Sequence, residues 1–499
     1  MPPEDFRRHA HEAADWIADY LQDVGSFPVL PSVEPGDVRR GLPDTAPSEG
    51  ERFETLMEEF QSQILAGVTH WNHPAFFAYF PTTGSGPGIL GEMLAAALNV
   101  NAMVWKTSPA ATELEELALD WVRELVGLPD VFRGTVNDTA SSSSLNALAA
   151  ARDAVFPDVR ERGLFGAPAG RIYASKDAHL SIDKAAMVLG FGLDGVRHVE
   201  MDGEYRMIPD ALGAAIAEDV ASGVCPVAVV ATLGTTAGSS VDPVDAIADI
   251  AADVGLWLHV DAAYAGPAAI VPELRHHFAG WERADSVVIN PHKWLFTPID
   301  CSILYCRRPA QLRRAFSLTP EYLKTAEQGS ATNLMDYGVA LGRRFRALKL
   351  WFVLRYFGSE GIVERLREHC RLAQEFSRRV EREHGWELVA PVPFSTVAFR
   401  FRNSDAQGGT GDPAGAQGES EGEGDLEGEA QDRMNLEILD RVNESGEAFL
   451  SHARLGGRIA LRFSVGNLRT TEDHVLRAWE LLRDAAKSVA YENAEGGGR

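Results

Sequence analysis

Three features of this 499-residue chain have the residue types and spacing to do chemistry: a lysine, an aspartate and a serine-rich helix start. In VVINPHKWLF (287–296) an apolar run passes through Asn290 and Pro291 to His292 and Lys293, then returns to Trp294, Leu295 and Phe296. A lysine is seldom placed in apolar company without a use. Desolvation there would lower its pKa and favour the neutral, nucleophilic amine. Asp261 closes LWLHVD (256–261), where an unpaired carboxylate would be costly and should face a cation or a donor. DTASSSSLNALAAARDAV (138–155) opens on hydroxyl side chains and continues as an alanine-rich helix, the capping chemistry and positive dipole end that hold a phosphate. Each has a plainer account alone: a turn aspartate, a surface lysine, a simple cap.

One cofactor, pyridoxal 5'-phosphate (PLP), would explain all three. It takes a lysine amine as covalent anchor, a carboxylate to keep its ring nitrogen protonated, and a phosphate cup at a helix N-terminus. A flat partner over the ring is also expected, and SKDAHLSIDKA (175–185) offers His179 in a polar stretch before a helix.

Positioning such a set takes a sheet. PVAVVATLG (226–234) reads as a continuous apolar strand, VDAIADIAADVG (244–255) as an amphipathic helix ending at Gly255, and LWLHVDAAY (256–264) as a second strand. That order makes a right-handed βαβ unit of a parallel sheet. SVVIN and CSILYC add strands, so residues 86–360 are predicted to form a doubly wound, mostly parallel α/β domain. Ligands of such sheets bind beyond the carboxyl ends of the strands, where Thr236, Asp261 and Lys293 fall.

The flanks differ. In residues 1–85, Phe6, Ala10, Ala13, Trp16, Ile17, Tyr20, Leu21 and Val24 recur at helical spacing, and the proline-rich stretch 27–50 reads as an extended strap. Such an arm is expected to pack on a partner. Residues 361–499 are expected to form a small α+β domain with STVAFRFR (395–402) and GRIALRFSVG (457–466) as strands. Between these, residues 403–432 carry nine acidic residues and no basic one, with Leu426 as the only large apolar side chain, which predicts a disordered acidic insert.

A formal charge of −25, from 47 basic and 72 acidic residues, argues against nucleic acid or an anionic membrane as partner and favours a small molecule. The four cysteines show neither CxxC spacing nor a zinc-finger partner histidine, so free thiols in a reducing compartment are expected, with no metal. The opening MPPEDFRRHAHEAADWIADYLQDV lacks a signal-type apolar core and no apolar run approaches a membrane span, so a cytoplasmic location is expected. GFGLDG (190–195) fits GxGxxG, but a helical segment precedes it and a strand follows, the reverse of a dinucleotide fingerprint. His70 and His73, and likewise His276 and His277, have no third ligand in register, so they read as structural.

NPHKW, HVDAAYAG, ATLGTT, SPAATELE, THWNHPAFFAYFPT and LGRRFRALKLWFVLRYFG together resemble the aromatic L-amino-acid decarboxylases, the group II pyridoxal-phosphate decarboxylases, from about residue 5 to residue 485. The resemblance implies a type I PLP-dependent transferase fold and a homodimer with sites at the subunit interface. By motif position Lys293 would anchor the cofactor, Asp261 would pair with the ring nitrogen and His179 would stack on the ring. Thr236 and Ala263 would lie beside it; Ala140, Ser141, Asn290 and His292 would hold or flank the phosphate. Thr82 would stand near the substrate carboxylate, with Trp71, Phe80, Asn101, Met103 and Gly342 around the substrate.

Tyr322 lies in LTPEYLKTAEQGSATNLMDYG (318–338), polar and poorly periodic as a lid would be. It matches the family tyrosine associated with returning a proton to Cα after CO2 leaves. Relatives that make aldehydes tend to change this tyrosine or the stacking histidine. With both kept, decarboxylation of a tryptophan-, dopa-, tyrosine- or phenylalanine-type substrate to its amine is expected, ahead of an aldehyde synthase or a catalytically silent binding paralogue.

Three positions depart from the pattern. Asp138 would repel a phosphate and is expected to point away or cap the helix. Asn101 and Met103 replace larger apolar or aromatic side chains. Gly342, by contrast, matches a position where plant members with glycine tend to accept indoles and those with serine prefer phenols.

Overall fold

The structure, a computed structural model, describes residues 1–318, 331–402 and 421–496. Runs of valine, alanine, isoleucine and leucine become the strands of a seven-stranded sheet. They are β1 (Arg133–Asn137), β2 (Gly170–Ser175), β3 (Val196–Val199), β4 (Cys225–Thr232), β5 (Trp257–Asp261), β6 (Ser286–Ile289) and β7 (Ser302–Cys306). Their spatial order is β1-β7-β6-β5-β4-β2-β3. Every residue of β5, β6 and β7 is buried, as strands covered on both faces must be.

The pairings β2·β3, β2·β4, β4·β5 and β5·β6 are parallel, whereas β7 runs antiparallel to both β6 and β1. The chain between β6 and β7 holds one helical turn, Pro291–Trp294, and no crossover helix, so β7 has to return beside its predecessor. β1 therefore points the same way as β4, β5 and β6. GFGLDG joins the helix Ser181–Val188 to β3, the helix-to-strand turn its context implied.

Contacts divide the chain into two compact units: Met1–Pro81 with Val380–Glu387 and Arg400–Arg499, and Thr82–Arg379 with Leu388–Phe399. This differs from three successive stretches cut at 85 and 360. The helix Arg346–Arg382 carries the second unit well past 360, and the N-terminal arm is tied to the C-terminal segment. Phe77 N–H donates to Phe449 O at 2.8 Å, its carbonyl accepts from Ser464 N–H at 2.9 Å, and its ring stacks on Phe463 at 4.0 Å.

A second sheet is formed by β8 (Trp386–Leu388), β9 (Thr396–Phe401), β10 (Ser451–Leu455) and β11 (Arg458–Ser464) in the order β10-β11-β9-β8. The first helix, Pro3–Asp23, packs within its own arm: His9 meets Phe53 at 4.5 Å and Trp16 meets Phe60 edge-on at 5.0 Å. Further on, the C-terminal part of the expected acidic insert is helical, and residues 403–420 lie outside the described residues. Residues 421–432 open the helix Glu421–Glu444, whose Asp432 carboxylate accepts from Ile459 N–H at 2.8 Å and whose Asn435 amide donates to Phe401 O at 3.0 Å. These bonds anchor a segment whose apolar content alone predicted none.

The two histidine pairs have structural work. Tyr20 OH bonds His70 Nδ1 at 2.8 Å, and His73 Nδ1 accepts from Ala75 N–H at 3.0 Å. His276 Nδ1 bonds Glu273 O at 2.9 Å, while the His277 ring lies against Phe394 at 5.2 Å.

Candidate active site

Because β1, β2, β4, β5 and β6 point the same way, their carboxyl ends share one edge of the sheet. The predicted residues sit along it. Ala140 and Ser141 open the helix that follows β1, and His179 follows β2. Thr236 lies on the turn after β4, Asp261 is the last residue of β5, and Asn290 to Lys293 follow β6. Five separate stretches of sequence thus converge on one ligand edge.

Asp261 is 6 % exposed, and one of its oxygens accepts from Ala263 N–H at 3.0 Å. Its backbone carbonyl accepts from Leu233 N–H at 2.9 Å, which ties the Thr236 turn to β5. Thr236 itself is exposed; its buried neighbour Thr235 accepts from Ser240 N–H at 3.0 Å. Ala140 and Ala263 pack with Val288 in a small apolar cluster, so the first residue of the helix touches the loop beyond Asp261.

Lys293 is half-buried in the turn Pro291–Trp294, between buried His292 and Trp294. That turn is rigidly held. Trp294 stacks on Tyr264 at 5.0 Å with 16° between planes, and its Nε1–H donates to His369 Nδ1 at 3.0 Å. His292 Nδ1 accepts from Cys301 N–H at 2.9 Å, and burial foremost lowers its pKa to about 4. His179 has an exposed edge, but its Nδ1 accepts from Ser181 N–H at 3.2 Å, which places the ring proton on Nε2. The protein packed around that ring lowers its pKa, the Asp261 charge opposes this and the Lys293 charge adds to it. His179, Asp261 and Lys293 are therefore electrostatic neighbours.

The helix Ala140–Val155 receives no side-chain cap from Thr139, so its first-turn N–H groups are open to an acceptor from elsewhere. Asp138 turns back on its neighbour, accepting from Thr139 N–H at 2.6 Å, and its charge raises the pKa of Arg346. It does not cap the helix, but a cation lies near it. The four serines separate by depth. Ser141 is exposed, whereas Ser143 and Ser144 are fully buried, Ser143 Oγ bonding Ser302 Oγ at 2.8 Å. Asn290 is 2 % exposed and its side-chain oxygen has no protein partner among the described residues. An uncapped helix start, an unmatched buried carboxamide, a buried carboxylate and a lysine on one edge fit the phosphate, ring nitrogen and aldehyde of PLP.

Around this set, Thr82 is half-buried at the head of a segment whose Ser85 N–H donates to Phe296 O at 3.2 Å, just beyond Lys293. Asn101, Met103 and Gly342 come together. Asn101 Oδ1 accepts from Arg343 N–H at 2.9 Å, and Asn101 Nδ2 lies 3.6 Å from Met103 Sδ. A Cβ on Gly342 would meet only that amide, at 3.9 Å. Met103 O is pinned by Met335 N–H at 3.0 Å, so the last part of the expected lid is anchored, with Leu334, Met335 and Asp336 buried. Tyr322 lies outside the described residues. Trp71 and Phe80 belong to the other unit, where Trp71 stacks near Tyr79 at 5.8 Å and Phe80 lies under the Arg462 guanidinium at 5.1 Å. Their place around a substrate rests on the resemblance alone.

Two elements of the site escaped the sequence. Arg343 and Glu115, both buried, pair at 2.6 Å; Arg343 also donates to Val136 O and Glu115 accepts from Val136 N–H, fixing the Gly342 segment to the end of β1. Nothing in the local pattern singles out either residue, since 228 positions separate them. The other is His259, two residues before Asp261 in LWLHVD, where an imidazole inside an apolar run is the signal.

Burial has a consequence for pH. His73, His259, His277 and His292 are each lowered to about 4, burial being the main cause. The unfolded chain protonates these rings below about 6.5 and the folded chain resists until about 4, so their stabilising contribution is full above 6.5 and is lost as pH falls through that window. Asp242, raised to about 6 by burial, acts oppositely, its contribution being lost as pH rises through 6. Four groups outweigh one. Thermal denaturation at a series of pH values should show the midpoint falling steadily between about pH 6.5 and pH 4.5; a flat or rising midpoint there would contradict the assignment.

Comparison with known proteins identifies the family. The model of the pyridoxal-dependent decarboxylase conserved domain matches residues 35–402. Tryptophan decarboxylase 2 of Oryza sativa subsp. japonica is 39 % identical over 501 residues, covering 98 % of this chain and 96 % of the relative. Phenylacetaldehyde synthase of Arabidopsis thaliana is 39 % identical over 503 residues, covering 98 % of each. The crystal structure of Oryza sativa TDC with PLP and tryptamine superposes with a TM-score of 0.90 at 38 % identity, covering 98 % of this chain and 99 % of that one.

The chain belongs to the pyridoxal-dependent decarboxylases, with the type I PLP fold and PLP as cofactor. Within them it is an aromatic amino acid decarboxylase, a carboxy-lyase. No described helix is long and apolar enough to cross a membrane.

Proposed function

We propose that the chain converts a tryptophan-type L-amino acid to its arylalkylamine and CO2. The observation that carries the preference for a large ring is the open space at Gly342, where a side chain would meet nothing but the Asn101 amide. Lys293 is the covalent anchor, Asp261 holds positive charge on the cofactor's ring nitrogen, and His179 stacks on the ring. Ala140, Ser141, Asn290 and His292 surround the phosphate, with Thr236 and Ala263 beside the ring. Thr82 faces the substrate carboxylate, with Asn101 and Met103 beside the substrate. Bound PLP supplies the electron sink for the pair left by departing CO2. Incubating the purified protein with tryptophan, dopa, tyrosine and phenylalanine separately, and assaying amine and CO2, tests the reading; tryptophan should be fastest, and no amine from tryptophan would overturn the preference.

Tyr322 returns a proton to the substrate Cα. Identity alone does not separate amine from aldehyde chemistry, because a tryptophan decarboxylase and an aldehyde synthase match equally well. In air, Tyr322→Phe should divert product from amine to aldehyde, dioxygen taking the two electrons to give hydrogen peroxide and water releasing ammonia, and slow amine formation by about 10²-fold or more. Amine released at the parent rate would remove Tyr322 from this role.

The working form is a homodimer. Along the helix Gly86–Leu98, Leu90, Met93, Leu94 and Leu98 are 41–59 % exposed in the single chain and recur at helical spacing, an apolar row of the kind that partners cover. Light scattering on purified protein tests this, and a monomer active at full rate would refute it. A cytoplasmic location is in keeping with four free cysteines, three of whose thiols burial pushes up to about 12.

A further inference from the structure

His259 has no place in the chemistry above, yet it is completely buried and fully bonded. Its Nδ1 lies 2.8 Å from Ser286 Oγ, on the β6 residue paired with it, and its Nε2 lies 3.0 Å from Ser144 Oγ. Trp257 Nε1, which can only donate, occupies Ser286 Oγ at 2.9 Å. Each serine hydroxyl can donate or accept, so the imidazole bridges Ser286 and Ser144 in either tautomer. Burial holds the ring neutral, with a pKa of about 4, so it adds no positive charge beneath Asp261.

The two ends of this chain of bonds matter. Ser144 lies in the second turn of the helix Ala140–Val155, whose first turn is the anion-binding end. His259 lies two residues before Asp261 on β5, and alternation puts both side chains on the same face of the strand. One rigid imidazole therefore spans from the strand that carries the carboxylate to the helix that carries the phosphate cup. The neighbouring Ser143–Ser302 bond ties the same turn to β7 and leaves that helix little freedom to slide along the sheet.

We propose that His259 is a positioning residue that fixes the separation between the Ala140 helix start and the Asp261 carboxylate, matching it to the span of PLP from phosphate to ring nitrogen. The inference rests on the assignments of those two groups made above. It predicts that His259 matters for using the two ends of the cofactor together more than for holding either one.

The test is the affinity of the full-length protein, freed of cofactor, for PLP and for 5'-deoxypyridoxal, which lacks the phosphate. Both are read from the absorbance change on binding, with thermal midpoints measured in parallel. The parent should prefer PLP strongly. In Ser144→Ala and in His259→Leu that preference should shrink at least about tenfold, while affinity for 5'-deoxypyridoxal changes by less than about threefold. His259→Gln, whose terminal amide can donate to Ser144, should recover most of the preference.

A role in folding alone would weaken both ligands equally, and that result, or an unchanged preference in Ser144→Ala, would overturn the proposal. A parent that failed to distinguish the two ligands would instead overturn the phosphate assignment on which it stands.

Discussion

Lys293→Ala should abolish decarboxylation, with turnover reduced on the order of 10⁴-fold or more, while the protein stays folded. The loss follows from chemistry that no neighbour can replace. Lys349, a fully buried lysine of the same unit, is paired with Glu92 at 2.8 Å, and burial lowers its pKa. Stability should be kept because the turn that carries Lys293 is fixed by its neighbours: the Trp294–Tyr264 stack, the Trp294–His369 bond and the Cys301–His292 bond all survive the change. Borohydride reduction of the parent should leave the cofactor on the peptide containing Lys293, and mass spectrometry of the variant should find it on no lysine. Turnover within about 100-fold of the parent, or a label on another lysine, would refute the assignment.

How much of this could be read beforehand depended on whether the signal was local. Strands such as PVAVVATLG, and the Gly255 that ends the helix Val244–Val254 in a left-handed conformation at φ 69°, follow from short-range patterning. So did the edge on which the site lies, because strands feeding βα connections deliver their last residues to one side. The antiparallel return of β7 did not, since an apolar run carries no mark of its direction. Local composition is equally silent on the helix at residues 421–432. Composition predicted that residues 403–432 would not bury a core, but the bonds of Asp432 and Asn435 to distant strands hold the start of a helix there.

Within the site, Lys293 and Asp261 announced themselves as charged residues ending apolar strands. The serine run was read correctly as a helix start, but not which serines faced outward. Helical periodicity separates Ser141 from Ser144 only once the helix is placed on the sheet. The Arg343–Glu115 pair could not be read at all, because it exists only through tertiary contact.

Asp261→Asn should lower kcat on the order of 10³-fold and leave KM and stability almost unchanged. The carboxamide is close to isosteric, and its oxygen can still accept from Ala263 N–H, so the loop between β5 and the Ala140 contact keeps its geometry. What is lost is one negative charge at the end of a fully buried strand. Two opposite charges about 4 Å apart attract by roughly 4 kcal/mol at an effective dielectric near 20, and about 1.4 kcal/mol is worth a factor of ten in rate. The charge is needed while positive charge must persist on the cofactor ring, so the penalty belongs to the chemical step and appears in kcat. His179 offers an independent readout, because the Asp261 charge raises its pKa. In Asp261→Asn that pKa should fall further, as NMR titration of the ring would show. A variant that kept kcat within about tenfold while His179 shifted as expected would place the carboxylate beside the ring but deny it the ring nitrogen. A loss confined to KM would make Asp261 a binding residue only, and the electron-sink role assigned to it would fail.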